Sequence, residues 1–285
     1  MKVVPVSAVA LALTAGVPVL AGLEGWWRFV DEGPVSSDLS GNGRDVSVDT
    51  NRVARLSNAP GGGAVWFDGM TNAAVVSDGY AYVQAEGFEN AAIPGPFTVS
   101  GWIYADEPSM FAPILFRTAD PDEWSDGFGV FVDEGSSVGA FVRNGGVECS
   151  ICGGALYADM WNHVALTYTG SEVSLYVNGL PVAHGDVPEA ESFDVRAPLE
   201  VGTLVGTDLS IPYSGAIADV RFWSHALSAQ DIDGVYRQFL ADAVDEYGDD
   251  DCDGMDNAWE IRHGLNPKCG EDASRDEDGD GLSNL

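Results

Sequence analysis

The sequence predicts an all-β protein, an antiparallel sandwich of the jelly-roll kind with one short closing helix and an acidic tail. Three observations predict it. Short runs alternate apolar residues with small or polar ones, the mark of strands. Turn clusters rich in glycine separate them, and the 285-residue chain holds 35 Gly. No long stretch of helical period falls among the runs, so nothing suggests a parallel sheet with crossover helices. With 45% hydrophobic residues, 10% of the chain aromatic, the sequence can bury a sizeable core. It carries 45 Asp+Glu against 13 Lys+Arg, a formal net charge of −32. That balance excludes nucleic-acid binding by phosphate neutralisation. It also excludes docking on an anionic membrane surface.

Residues 1–21 have the layout of a secretory signal peptide. Lys2 precedes an apolar run over 3–20, and Val19 and Ala21 occupy the −3 and −1 positions of a cleavage after Ala21. Pro5, Gly16 and Pro18 interrupt the run and no basic stop-transfer cluster follows, which argues against a membrane anchor. The expected product is secreted or displayed at the cell surface, with no membrane-spanning segment after signal removal. An even count of four cysteines fits an oxidising compartment. Their order suggests two local disulfides, Cys149–Cys152 and Cys252–Cys269, without fixing the connectivity. A zinc site would need further soft ligands nearby, and a thioredoxin-type pair would open a helix.

Residues 22–240 read as one sandwich domain. The segments 97–104, 163–168 and 172–177 alternate with period two, so each predicts a strand with one buried face. Asn178-Gly179 supplies a two-residue hairpin turn, because both residues tolerate positive φ, and 180–184 returns as the partner strand. Ser228 is a helix N-cap with Asp231 three residues on, and Ile232, Val235, Tyr236 and Phe239 then form one apolar stripe. That helix is expected to close the domain near residue 241.

The composition then changes. Residues 241–285 hold fifteen acids and three bases, too few apolar residues to build a core without a metal or a disulfide. Asp249, Asp251, Asp253, Gly254 and Glu260 give D-x-D-x-D-G-x5-E, the spacing of a calcium loop. Ca²⁺ seeks six to eight oxygens, and alternate Asp residues can converge on one ion. Gly254 permits the turn, the Met255 carbonyl can join, and Glu260 can close the shell. A second copy starts with Asp276, Asp278 and Asp280, with Leu282 at the carbonyl position, and meets Leu285 before its closing Glu. The expectation is that the native chain continues. The cofactor expected is Ca²⁺.

Several motifs stand in one order along the chain: G-W-W-R-F-V (25–30), D-L-S-G-N-G-R-D (38–45), A-V-W-F-D-G (64–69), F-T-V-S-G-W-I (97–103), W-N-H-V-A-L-T-Y (161–168), L-Y-V-N-G (175–179) and Y-S-G-A-I-A-D-V-R-F-W-S-H-A-L-S (213–228). In that order they resemble the laminin G-like, concanavalin A-like jelly-roll family over most of 23–240. The resemblance implies a binding or adhesion module, often for glycans. The tail, through 253–267 and 276–285, resembles thrombospondin type 3-like calcium repeats, which implies a stiff calcium-wrapped spacer. Related sandwiches also hold one structural calcium near the first loop, which makes Asp38, Asn42 and Asp219 a third candidate site. The bland reading is that Asp38 and Asn42 cap turns and Asp219 pairs with an arginine.

No catalytic set emerges. The carboxylates at 189–194 lack the spacing of a glycosidase pair and sit in a Pro-bounded loop. G-x-S-x-G and H-E-x-x-H are absent. For a glycan surface, Trp124 flanked by Asp122 and Asp126 is the best candidate, with Tyr80 and Tyr82 behind it; Trp26, Trp102 and Trp161 read as core, while Trp223 reads either way. The sequence thus predicts an exported, non-catalytic, calcium-binding recognition or adhesion module whose partner is a polysaccharide or glycan, or another surface protein. The alternative is a spacer domain of a larger surface protein with no ligand; a glycoside hydrolase, or its accessory domain, comes third.

Overall fold

A computed structural model describes residues 20–48, 53–69, 83–85, 95–106, 111–120, 125–157, 159–187, 195–205, 210–245, 247–276, 279 and 281–285. Among them, two antiparallel sheets of eight strands face each other. One runs Leu180–Asp186, Glu172–Val177, Trp161–Tyr168, Phe97–Ala105, Ser214–Trp223, Ala64–Asp68 and Val53–Leu56, with Leu23–Trp27 also paired to Ser214–Trp223. The other runs Val147–Ala155, Ser137–Asn144, Gly127–Val132, Ala112–Thr118, Leu199–Val201, Val83–Ala85, Val46–Val48 and Val35–Ser36. The jelly-roll expectation holds. Residues 1–19, which carry nearly all of the expected signal peptide, lie outside the described residues.

Aromatic stacking knits the sheets together. Phe97 stacks on Phe128 of the opposite sheet at 4.5 Å and on Phe222 of its neighbour strand at 5.9 Å, and Tyr168 meets it at 5.5 Å. Asn178 (φ 50°) and Gly179 (φ 80°) form the expected left-handed two-residue turn. At one flank the two sheets touch edge to edge. A Cβ on Gly153 would stand 2.6 Å from the Val182 carbonyl, and one on Gly185 would stand 2.6 Å from Cys149 Sγ.

The alternating segments differ from expectation in one respect. Phe97–Ile103 and Asn162–Tyr168 are buried on both faces. The second face lies under α1 (Ala229–Gln238), which starts with the expected capping box between Ser228 and Asp231. Ile232, Val235 and Tyr236 point inward from it, and the Tyr236 ring stacks on Trp102 at 5.4 Å. A further turn, α2 (Leu240–Ala243), continues the same cover. Of the tryptophans read as core, Trp102 is fully buried, whereas Trp26 and Trp161 are only half-buried; Trp223 is fully buried.

The cysteines are thiols. Cys149 and Cys152 lie three residues apart on one regularly paired strand, opposite Val142 and Gly139. Three strand residues span about 10 Å and point the end side chains to opposite faces. A disulfide needs Cα atoms within about 7 Å, so the Cys149–Cys152 bridge is excluded by geometry. Cys252, inside the acidic loop, and Cys269, beyond it, are likewise unbridged.

His163 lies between Trp102 and Tyr236, fully buried, and neither ring nitrogen has a hydrogen-bond partner. Burial, helped by the Arg221 charge, pushes its pKa down to about 3. A histidine held below its ordinary value of 6.5 contributes stability that is lost as pH falls from 6.5 towards 3. His163→Phe should flatten that part of the acid limb in urea unfolding curves taken between about pH 7 and pH 4. An acid limb identical to wild type would remove His163 as its source. A second expectation concerns the stack: Phe97→Ala should cost roughly 3–5 kcal/mol in the same assay.

Candidate metal centre

The acidic tail folds back onto the outer face of the sandwich. Its loop precedes α3 (Asn257–His263), a helix capped by the Asp256 side chain on Trp259 N–H. Met255, Leu265 and Ala273 are buried together with Trp259 beside them, a small apolar knot. Gly254 takes φ 101°, a left-handed turn that suits glycine. Asp249 accepts from the N–H groups of Asp253 and Gly254, both at 3.1 Å, which shapes the loop. Asn257, fully buried, ties it to the end of α2 by donating to the Asp245 carbonyl (2.6 Å) and to Asp250 Oδ1 (2.9 Å) while accepting from Asp250 N–H.

Two groups of carboxylates result, sharing Asp253. Asp249, Asp251 and Asp253 bring oxygens within 4.8 Å of one another, and so do Asp253, Glu260 and Asp272. Glu260 is fully buried and neither of its oxygens accepts a hydrogen bond. Both Asp251 oxygens and Asp253 Oδ2 are also shielded from solvent, with the Cys269 and Asp253 N–H groups turned towards Asp251. Burial, reinforced by the charges of Asp251, Asp253, Asp272 and Asp249, pushes the Glu260 pKa up to about 8. Burial and then Asp253 raise Asp251 as well. Buried anionic oxygens without donors are costly unless a cation neutralises them. An all-oxygen set of this kind fits a hard cation such as Ca²⁺.

The sequence located Asp249, Asp251, Asp253 and Glu260, and the structure brings them together. Met255 turns its N–H to Asp253 Oδ1 at 2.8 Å and buries its side chain. Sequence reading missed Asp272, which arrives from the segment after Cys269. It also missed Lys268, whose buried ammonium meets Asp250 at 3.0 Å and lies 5.2 Å over the Tyr157 ring. In the second loop Asp276 accepts from Gly279 and Gly281 N–H (2.8 and 2.9 Å), as Asp249 does from Gly254, and Leu282 is exposed; Asp278 and Asp280 lie outside the described residues.

The third site is not formed as a metal shell. Asp38 spends both oxygens on Trp26 N–H, Ser40 and Arg44 N–H. Asn42 donates its amide to the Leu23 carbonyl at 2.9 Å. Asp219, buried at a bulge with φ 46°, accepts from Trp26 Nε1 (2.7 Å) and pairs with Arg221 (2.8 Å). Asp38 and Asp219 are thus engaged by the protein's own donors, while Asn42 donates its amide to the first strand. Asp126 is likewise committed, holding the Gly145 and Gly146 N–H groups of a hairpin turn. Trp124, Asp122, Tyr80 and Tyr82 lie outside the described residues.

Sheet order, closing helix and bulged last strand define a lectin-type sandwich. The chain belongs to the concanavalin A-like lectin/glucanases superfamily, whose laminin G-type family matches residues 77–233. No curated protein matches the chain by sequence. Among solved structures, it is similar to the binding domain of Paraclostridial Mosquitocidal Protein 1, at 14% identity and TM-score 0.58 over 78% of this chain and 53% of that one. It is similar to domain 4 of AbnA, a GH43 extracellular arabinanase from Geobacillus stearothermophilus solved with arabinotriose, at 16% and 0.56, over 75% of this chain and 98% of that one. A third likeness is to Trypanosoma rangeli sialidase with sialic acid, at 18% and 0.58, over 79% of this chain and 34% of that one. The chain thus spans about half of the first and a third of the last. These likenesses show the fold. Among the described residues, no helix is long and apolar enough to cross a membrane.

With its pKa pushed up to about 8 by burial and its acidic neighbours, Glu260 must give up a proton to ligate a metal. Cation binding at about pH 7 should therefore release a proton, and affinity should rise from about pH 6 to pH 8. Calorimetric calcium titrations in buffers of different ionisation enthalpy measure that proton; Glu260→Gln should abolish the release. Heats that do not vary with buffer would contradict it.

Proposed function

We propose that this chain is an exported, non-catalytic recognition module that binds calcium through residues 249–272 and a glycan through its sandwich. The observation that carries the calcium reading is the fully buried Glu260 carboxylate, with both oxygens unpartnered and facing Asp253 and Asp272. The glycan reading is supported by the lectin-type fold and by an arabinotriose-bound domain of similar shape. Asp276 caps its loop as Asp249 does, which supports reading the tail as the start of a thrombospondin type 3-like series.

Calorimetric titration of the whole chain should show calcium binding that Asp249→Asn, Asp251→Asn and Asp253→Asn together abolish. Heat no greater than the dilution background in wild type would sink the calcium reading. A polysaccharide array, including arabinan oligosaccharides and sialylated glycans, should give saturable binding in calcium buffer. A blank array on folded protein would move the reading to a spacer domain without ligand. Reducing-end release from any bound polysaccharide would overturn the non-catalytic part.

A further inference from the structure

We infer that Asp272 is a ligand of the tail cation supplied from beyond the loop, and that through Asn266 the bound cation staples the tail to the sandwich. This rests on the calcium reading above and extends it to a residue outside the loop and to the sandwich itself.

The ligand assignment comes from spacing and from burial. Oxygens on one Ca²⁺ lie 2.3–2.6 Å from the ion, so two of them stand at most about 5 Å apart. Asp253, Glu260 and Asp272 meet that limit, with oxygens within 4.8 Å of one another. Glu260, fully buried and without a hydrogen bond, turns towards this group, so the charge that must be balanced lies on the Asp272 side of the loop. Asp272 is held for the task. It opens the short turn Asp272–Ser274, its N–H donates to the Cys269 carbonyl at 2.9 Å, and its carbonyl accepts from Asn284 Nδ2 at 2.7 Å. Gly270 allows the close approach, since a Cβ there would stand 3.3 Å from Asp253 Cβ.

The staple comes from where the second Asp272 oxygen goes. Oδ2 accepts from Asn266 N–H at 2.9 Å, inside the protein. The Asn266 side chain accepts from Tyr236 Oη of α1 at 2.7 Å and donates to the Asn178 carbonyl, at the hairpin turn of the sandwich, at 3.1 Å. One residue therefore joins the cation's ligand, through its main-chain N–H, to the closing helix and the sheet, through its side-chain amide. Neighbouring struts run in parallel: Arg237 Nη1 to the Leu265 carbonyl (2.9 Å), and Tyr157 Oη to the Lys268 carbonyl (3.0 Å). A cation that binds only the assembled tail stabilises whatever unfolds with it. Here that includes α1 and the sheet face beneath it.

The test uses the whole chain with calcium alone as the probe. Wild type should unfold in one transition, seen alike in near-ultraviolet circular dichroism of the sandwich tryptophans and in scanning calorimetry, and calcium should move the whole transition upward. Asp272→Asn keeps an acceptor for Asn266 but loses the charge, and should weaken calcium binding roughly tenfold or more. Asn266→Ala leaves the ligand set intact; it should bind calcium within a few-fold of wild type, yet calcium should then raise the sandwich transition less than in wild type, the remainder passing through the parallel struts. Unchanged calcium affinity in Asp272→Asn would overturn the ligand assignment while leaving the loop site standing. A sandwich transition that ignores calcium in wild type would overturn the staple, and that comparison needs no variant. Wild type that binds no calcium would overturn this inference together with the reading beneath it.

Discussion

Repulsion among the carboxylates gathered about Asp253 is the constraint on which the docked tail depends. Two unit charges within 4.8 Å of each other repel by roughly 3 kcal/mol or more at an effective dielectric near 20. Several such pairs cannot all stay ionised, dry and uncompensated. There are two ways out. Burial and the neighbouring charges push the Glu260 pKa up to about 8, which favours its neutral form. The proposed hard cation would instead take the same oxygens as ligands. Apolar packing adds little to hold the tail, since its knot comprises Met255, Leu265 and Ala273 beside Trp259; polar struts to the sandwich do the rest.

The sandwich, by contrast, is held by apolar and aromatic packing, and Asp38 and Asp219 are engaged there by the protein's own donors. Asp219 illustrates the substitution. Its carboxylate is neutralised by Arg221, whose guanidinium in turn lies 4.7 Å over the Trp26 ring and reaches Gln238 at the end of α1. A fixed internal cation thus ties the last strand to the closing helix. The two halves of the molecule meet one electrostatic problem differently, with a built-in arginine in the sandwich and, in the tail, carboxylates gathered about Asp253 without such a partner.

Much of this was legible in the sequence, for physical reasons that also mark where legibility ended. The hairpin at Asn178-Gly179 and the cap at Ser228 are local events, governed by φ preference and by hydrogen bonds three residues apart, so sequence alone located them. The spacing of Asp249, Asp251, Asp253 and Glu260 is local too. What escaped were pairings across space. Asp272 looks like any other acid in an acidic run until Gly270 lets its segment approach the loop. Lys268 and Asn266 carry no motif; only the docked tail shows the ammonium against Asp250 and the amide between Tyr236 and Asn178. The second buried face of Phe97–Ile103 was hidden because Tyr236 arrives from more than a hundred residues away. The Cys-x-x-Cys spacing misled, since a short separation in sequence becomes a long one on an extended strand.

The contact between the two sheet margins at Gly153 and Gly185 has a consequence for how such domains live side by side. A strand at the end of a sheet presents backbone donors and acceptors that recruit strands from other molecules. Here the margins Val147–Ala155 and Leu180–Asp186 lean on each other, and the absent glycine side chains let them close to van der Waals distance. Enlarging either glycine would pry that seam open and expose two strand margins at once. Closing the seam therefore keeps both margins less open to a strand from another molecule.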